Sequence, residues 1–268
     1  MKLPKVDYHM HTPLCGHATG EPSAYVEQAL RVGLSEIGFS DHAPLVSHPD
    51  PRYTMSMEQL PLYHRMMDEV RGRYPGYTIK VGLEADYLPG YEDRTRAILE
   101  AYPYDHVIGS IHFIDNWAFD DPDERVRWKD KDINRVYRDY YDLLRRSASS
   151  GLFDIMGHVD LVKKFGHRAT EDLGAEIEHT ARVFKDSGVT VEINTSGLRK
   201  PANEIYPSLS VLKIYQRAGV PITFSSDAHD PGDVGRDYDK AAELALAAGY
   251  REYRVFRARK VERIEGLL

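Results

Sequence analysis

Short apolar runs alternate along the chain with longer stretches whose apolar residues recur every three or four positions. The runs Lys5–His9, Glu36–Ser40, Ile79–Glu84, His106–Ile111, Phe153–Gly157, Val189–Asn194 and Pro221–Ser226 read as strands. The stretches Pro22–Val32, Met57–Tyr74, Tyr91–Ala101, Ile133–Ser149, Leu173–Ser187, Ser208–Ala218 and Asp239–Ala248 read as helices. Ser149-Ser150-Gly151, Ser187-Gly188 and Ala218-Gly219 each close a helical pattern just before a strand, as left-handed helix stops do. This alternation predicts an α/β fold of parallel strands with crossover helices, because parallel neighbours need a connection that long. Seven such units in about 250 residues predict a barrel rather than two open sheets. The longest irregular stretches, Ala43–Ser56 and Asp115–Lys131, are rich in Pro, Asp and aromatics and read as loops of a site. A single domain over residues 1–268 is therefore expected.

Composition narrows the partners. Of 268 residues 42% are hydrophobic, enough for a substantial core, and the net charge is −7 with histidine neutral. No run of Lys or Arg forms a track for nucleic acid, so nucleic-acid binding is not expected. A small anionic substrate stays open, because bound cations invert the local charge of a site. The single cysteine, Cys15, excludes an intrachain disulfide and fits a reducing compartment. The start MKLPKVDYHMH has no apolar leader core, and no run of about 20 apolar residues follows. A soluble cytoplasmic protein, with no membrane partner, is the expectation.

Potential metal donors stand where the strands end. Strand one runs into "HMHTPLCGH", with His9, His11 and His17 after Asp7. Later strands end at Asp41-His42, Glu84-Ala85-Asp86, His112, His158, Glu192-x-Asn194 and Asp227-x-His229. Residues i and i+2 of a strand share a face, so His9 and His11 can point together, as can Asp227 and His229. In a barrel these strand ends converge on one face. Seven of the twelve histidines lie there: His9, His11, His17, His42, His112, His158 and His229. With Glu84 and Asp227 they make nine donors, and an ion takes three or four protein ligands, so two or three ions are expected, with Glu84 bridging. The mixed imidazole and carboxylate set suits Zn, Fe or Mn without choosing among them. His48, His64, His106, His167 and His179 read as ordinary surface or core histidines. Cys15 reads as a small side chain in a tight loop rather than a thiolate ligand. Asp7 reads as a support for an imidazole. Asp41, expected at the mouth, reads as an acid/base or a ligand.

The pieces "DYHMHTPLCGH", "FSDHAP", "GLEADY", "GSIHF", "MGHVDLVKKFGH", "EINTSGLRK" and "SSDAHDPGDVG", in order from Asp7 to Gly235, resemble the PHP (polymerase and histidinol phosphatase) family of metal-dependent phosphoesterases. The resemblance implies a distorted, TIM-like (β/α)7 barrel with three divalent metal ions. It implies a first ion on His9, His11, Glu84 and Asp227, a second on Glu84, His112 and His158, and a third on His17, His42 and His229. "GHVDLVKKFGHR" and "EINTSGLRKPANEIYPS" resemble the branch that hydrolyses histidinol phosphate, which implies L-histidinol phosphate as the small-molecule substrate.

Phosphate-ester chemistry also follows from the donors, since clustered divalent ions bind phosphoryl oxygens and generate hydroxide near neutral pH. Arg199, in the loop after strand six with Ser196, is the first candidate to hold the phosphate, because guanidinium matches its geometry. Lys163 and Arg168 are further candidates, and Asp41 or His229 is expected to protonate the leaving alkoxide. Phe39, Asp115 and Trp117 are placed to meet the imidazole and ammonium, although packing and loop roles account for each equally. A PHP phosphoesterase acting on a nucleotide or sugar phosphate is the alternative. Amidohydrolase-like deacylases also open on His-x-His, but commonly carry a carboxylated lysine where this chain has Glu84. A non-enzymatic module predicts missing donors, and none is missing. A homo-oligomer is compatible with all of this.

Overall fold

The computed structural model describes residues 2–47 and 49–268, so His48 lies outside the described residues. Seven parallel strands form one sheet in the order β1 (Val6–Asp7), β2 (Glu36–Phe39), β3 (Thr78–Asp86), β4 (His106–Ser110), β7 (Ile155–Met156), β8 (Thr190–Asn194) and β9 (Ile222–Ser225). Between β4 and β7, a small hairpin of β5 (Phe113–Ile114) and β6 (Trp117–Ala118) leads into a 3-10 stretch, Pro122–Asp130. The sheet curls until β9 meets β1. There Met10 and Ala228 form a parallel bridge, with His11 N donating to Ala228 O (2.9 Å) and Ala228 N to His9 O (3.0 Å). The expected (β/α)7 barrel is therefore present, and β1 and β7 are its shortest strands at two residues each.

The helices α1 (Pro22–Val32), α2 (Leu60–Arg73), α3 (Glu92–Glu100), α4 (Ile133–Ser149), α5 (Gly174–Ser187), α6 (Leu209–Ala218) and α7 (Tyr238–Ala248) surround the strands. Each buries one stripe, as Val136, Tyr140, Leu143, Leu144 and Ser147 do along α4. Gly188 and Gly219 end α5 and α6 with φ of 74° and 75°, which a side chain would resist. No helix among the described residues is long and apolar enough to cross a membrane.

A second hairpin, β10 (Glu252–Arg257) and β11 (Lys260–Gly266), was not expected. It covers the end of the barrel where the strands begin. Tyr253 Oη accepts from Lys5 N (3.1 Å), Arg263 pairs with Glu36 (2.8 Å), Glu262 with Lys80 (2.9 Å), and Arg259 with Asp154 (2.9 Å). The turn between its strands places Ala258 and Arg259 at φ of 49° and 61°. Neither residue type announces such a turn.

Inside the barrel, above the hairpin, lies His106. Its Nε2 meets Tyr8 O (3.0 Å) and Ser40 Oγ (2.7 Å), and side chains are missing at Gly38 and Gly82, where a Cβ would come within 2.6 Å of it. Burial pushes its pKa down from 6.5 to about 4, so the ring folds neutral. Between those values the unfolded chain binds a proton that the native protein does not, so the ring's contribution is complete above pH 6.5 and is lost on acidification towards 4. The shift corresponds to about 3 kcal/mol. Urea unfolding at pH 7 and pH 4 is expected to show the His106→Gln variant losing about 3 kcal/mol less than the wild type over that interval. Parallel losses in the two proteins would exclude it.

Candidate metal centre

The strand ends opposite the C-terminal hairpin carry the imidazoles, and Glu84 is their hub. It lies near the end of β3 and is 2% exposed. Its Oε2 is 3.1 Å from His9 Nε2, 3.0 Å from His42 Nδ1 and 3.7 Å from His11 Nε2, while Oε1 is 3.0 Å from His158 Nε2 and 3.6 Å from His112 Nε2. Asp227 Oδ1 lies 3.3 Å from His11 Nε2. The His11 ring stacks on that of His229 at 3.9 Å, and His17 is 4.6 Å from His229. All nine expected donors thus gather at one face.

Hydrogen bonds decide which nitrogen each ring offers. His9 Nδ1 faces Glu192 Oε1 (2.6 Å) and His112 Nδ1 faces Asp86 Oδ1 (2.9 Å). His17 Nδ1 faces the carbonyls of Cys15 (3.0 Å) and Arg52 (3.2 Å), and His229 Nδ1 that of Asp227 (3.2 Å). Carboxylates and carbonyls only accept, so in each ring Nδ1 carries the proton and Nε2 presents a lone pair. His9 Nε2, both nitrogens of His11, His158 Nδ1 and His229 Nε2 are buried with no hydrogen-bond partner. Buried nitrogens without partners are costly, and cations at this face would fill the lone pairs among them. Donor groups close enough to share an ion include His9–His11–Glu84, His42–Glu84–His112 and His17–His42–His229. The buried thiol of Cys15 also lies near donors of His11 and His229. The residues present fit divalent cations.

The charges agree. Burial would raise the Glu84 carboxyl, but the imidazoles of His9, His42 and His112 outweigh it and hold its pKa well below the usual range. Asp227 is likewise held low, against its burial, by His9 and His11. Burial, reinforced by neighbouring imidazoles, drives His229 down, which favours its neutral, ligating form.

Above the donors opens a pocket of about 590 Å³. Its walls come from both irregular stretches, including Asp50, Arg52, Tyr53 and Thr54 of the first and Asn116, Ala118 and Asp120 of the second, as their reading as site loops anticipated. Lys164, Arg199 and Lys200 line it, as do Asp120, Asp121, Asp123 and Glu124. Arg199 donates to Ser226 O (2.7 Å) and meets Asp233 (3.3 Å). Ser196 donates to Asp227 Oδ2 (3.0 Å).

Several candidates sit elsewhere. The Lys163 ammonium is buried between Asp160 (2.7 Å), Glu204 (2.9 Å) and Ile205 O (2.9 Å), so it is committed to an ion pair and does not line the pocket. Its neighbour Lys164 takes that place, 2.9 Å from Asp120. Arg168 pairs with Glu204 (3.0 Å) on the outer surface. Asp41 is wholly buried rather than at the mouth. It accepts from the Thr12 hydroxyl, Thr12 N (3.2 Å) and His42 N (2.8 Å), and holds no place from which to protonate a leaving group. Phe39 packs on Tyr25 in the core, Trp117 on Trp128, and Asp115 sits in the exposed turn of the β5–β6 hairpin. Of the remaining histidines, His64 stacks on Tyr102, His167 on Trp128, and His179 is exposed on α5.

A model of the PHP domain matches residues 7–196, which hold seven of the nine donors. The chain belongs to the PHP family. Among its PHP relatives, a probable histidinol-phosphatase of Deinococcus radiodurans is 40% identical over 96% of this chain and 98% of its own length. The histidinol-phosphatase of Bacillus subtilis is 33% identical over 90% of this chain and 99% of its own. In shape, the barrel matches the crystal structure of a histidinol phosphate phosphatase from Lactococcus lactis with a TM-score of 0.84, covering 98% of this chain and all of that one at 24% identity. That protein was crystallised with zinc, L-histidinol and phosphate.

Proposed function

We propose that the protein is a histidinol-phosphatase: it hydrolyses L-histidinol phosphate to L-histidinol and phosphate, a step of L-histidine biosynthesis. One observation carries the chemistry, the convergence of five imidazoles on the single buried carboxylate of Glu84 at the floor of the pocket. The substrate assignment is supported by relatives of that name at 40% and 33% identity over nearly their whole length. We assign three divalent ions, Zn, Fe or Mn, to the sets His9–His11–Glu84–Asp227, Glu84–His112–His158 and His17–His42–His229. When bound, such ions neutralise phosphoryl charge and activate water near neutral pH.

The chain's own groups do the rest. Water's oxygen replaces the histidinol oxygen on phosphorus, so the site must hold an anion and release an alcohol. Arg199, Lys164 and Lys200 supply the cations that face the phosphate. Asp121, Asp123 and Glu124 also line the pocket, Glu124 paired with Arg127 and Asp123 near Arg52, and their carboxylates are the groups that would meet the ammonium and imidazole of histidinol, which sugar phosphates and nucleotides lack. With His229 ligating through Nε2, its one proton would sit on Nδ1, already donated to Asp227 O, so it is a poor source for the leaving oxygen.

The deciding experiment is phosphate release from L-histidinol phosphate and from a panel of sugar and nucleotide phosphates. kcat/KM for histidinol phosphate is expected to exceed every competitor at least about 100-fold, or about 2.7 kcal/mol of transition-state preference. Activity should vanish with a chelator and return with metal. Equal, slow rates on all substrates would leave a phosphoesterase and remove the histidine pathway.

A further inference from the structure

Of the seven barrel strands, only β8 contributes none of the nine donors, yet it ends in Glu192 and Asn194, both fully buried beside them. Glu192 is saturated. Its Oε1 accepts from His9 Nδ1 (2.6 Å) and from the Ser225 hydroxyl, and its Oε2 from His158 N (2.8 Å) and Asn194 Nδ2 (2.9 Å). Those bonds fill the roughly four acceptor sites of a carboxylate. The same Asn194 amide reaches Asp227 Oδ2 (3.2 Å) on the far side. Three donors from three other strands are thus held from one carboxylate. Two of them need holding: His158 and Asp227 have φ of 23° and 53°, which residues with side chains rarely adopt.

We propose that Glu192 is a positioning residue of the metal centre, fixing the ligating tautomer of His9 and the backbone of His158, and through Asn194 the carboxylate of Asp227. The proposal rests on the reading of those three residues as ligands. The isosteric Glu192→Gln change separates charge and acceptor count from shape. Glutamine offers one oxygen and one NH2 where four donors converge. With the NH2 towards His9, the ring must move its proton to Nε2, which removes the lone pair aimed at Glu84. With the NH2 towards β7, it opposes the His158 backbone N–H, which cannot turn away. Either placement disables one arm.

The test is zinc affinity by competition with a chromogenic chelator, on full-length wild type and Glu192→Gln, beside Leu212→Ala as a core-destabilising control on α6. Glu192→Gln is expected to weaken zinc binding by about 10–100-fold, the usual effect of removing such a partner, while Leu212→Ala does not. In zinc-loaded wild type labelled with 15N-histidine, the His9 resonances, assigned by their loss in His9→Gln, should show the proton on Nδ1. That second measurement needs no Glu192 variant to fold. Equal zinc affinity in wild type and Glu192→Gln overturns the proposal alone, whereas a His9 proton on Nε2 removes His9 as a ligand and the proposal with it. Failure of wild type to bind zinc overturns the metal reading and the proposal with it.

Discussion

Glu84→Gln is expected to lower kcat/KM on L-histidinol phosphate by at least about 10⁴-fold, close to 5 kcal/mol of transition-state stabilisation, even with metal in excess. Five imidazoles approach this one carboxylate within 3.7 Å, and Ser110 Oγ donates to it (2.6 Å). On the proposed ligand sets, glutamine keeps the shape and deletes the charge that would balance cations shared between two of them. It also turns one carboxylate oxygen into an NH2 that cannot ligate. Metal content should therefore fall by at least one ion per chain, measured on the purified protein beside the rate. The barrel should survive, because a neutral amide is easier to bury than a carboxylate whose partners are gone. A folded Glu84→Gln variant with full metal content and a rate within tenfold of wild type would remove Glu84 from the centre.

The donors were legible because all but His17, which lies in the loop after β1, stand at or just past the end of an apolar run, and a barrel brings such ends together. Directions within loops were not. Lys163 and Lys164 differ by one position in the 3-10 turn after β7, where each residue rotates the chain by about a third of a turn, so one ammonium enters an ion pair with Asp160 and the other the pocket. Asp41 was misplaced for a related reason: it lies two residues past β2, and Thr12 from β1's loop closes over it. Glu192 was visible as a donor at a strand end. Its role was not, since nothing in a sequence shows which lone pairs are already taken. The tautomers of His9, His17, His112 and His229 likewise depend on partners up to 183 positions away.

A chain ending at Tyr250 is expected not to fold, although every proposed ligand and every barrel strand precedes that point. The segment it lacks, the hairpin and the residues after it, contributes Tyr253, Val255, Phe256 and Leu267, all nearly or wholly buried. At about 1.5–3 kcal/mol each, an upper estimate, their burial is of the same order as the roughly 5–15 kcal/mol that holds an ordinary domain together. Its loss also strands charges. Glu36 and Lys80, 3% and 2% exposed, pair with Arg263 and Glu262 of the hairpin, and a buried charge without its partner costs far more than the pair contributes. Urea denaturation followed by circular dichroism should show a cooperative transition for the full chain and none for residues 2–250. A single exchange on the hairpin's outer face, Ile264→Lys at a position 57% exposed, should leave that transition within about 0.5 kcal/mol, which separates the covering of the barrel floor from any effect of the hairpin's own propensity. A truncated chain that unfolds cooperatively within about 2 kcal/mol of the full one would show that the seven strands close without their floor, against the usual scale of burial.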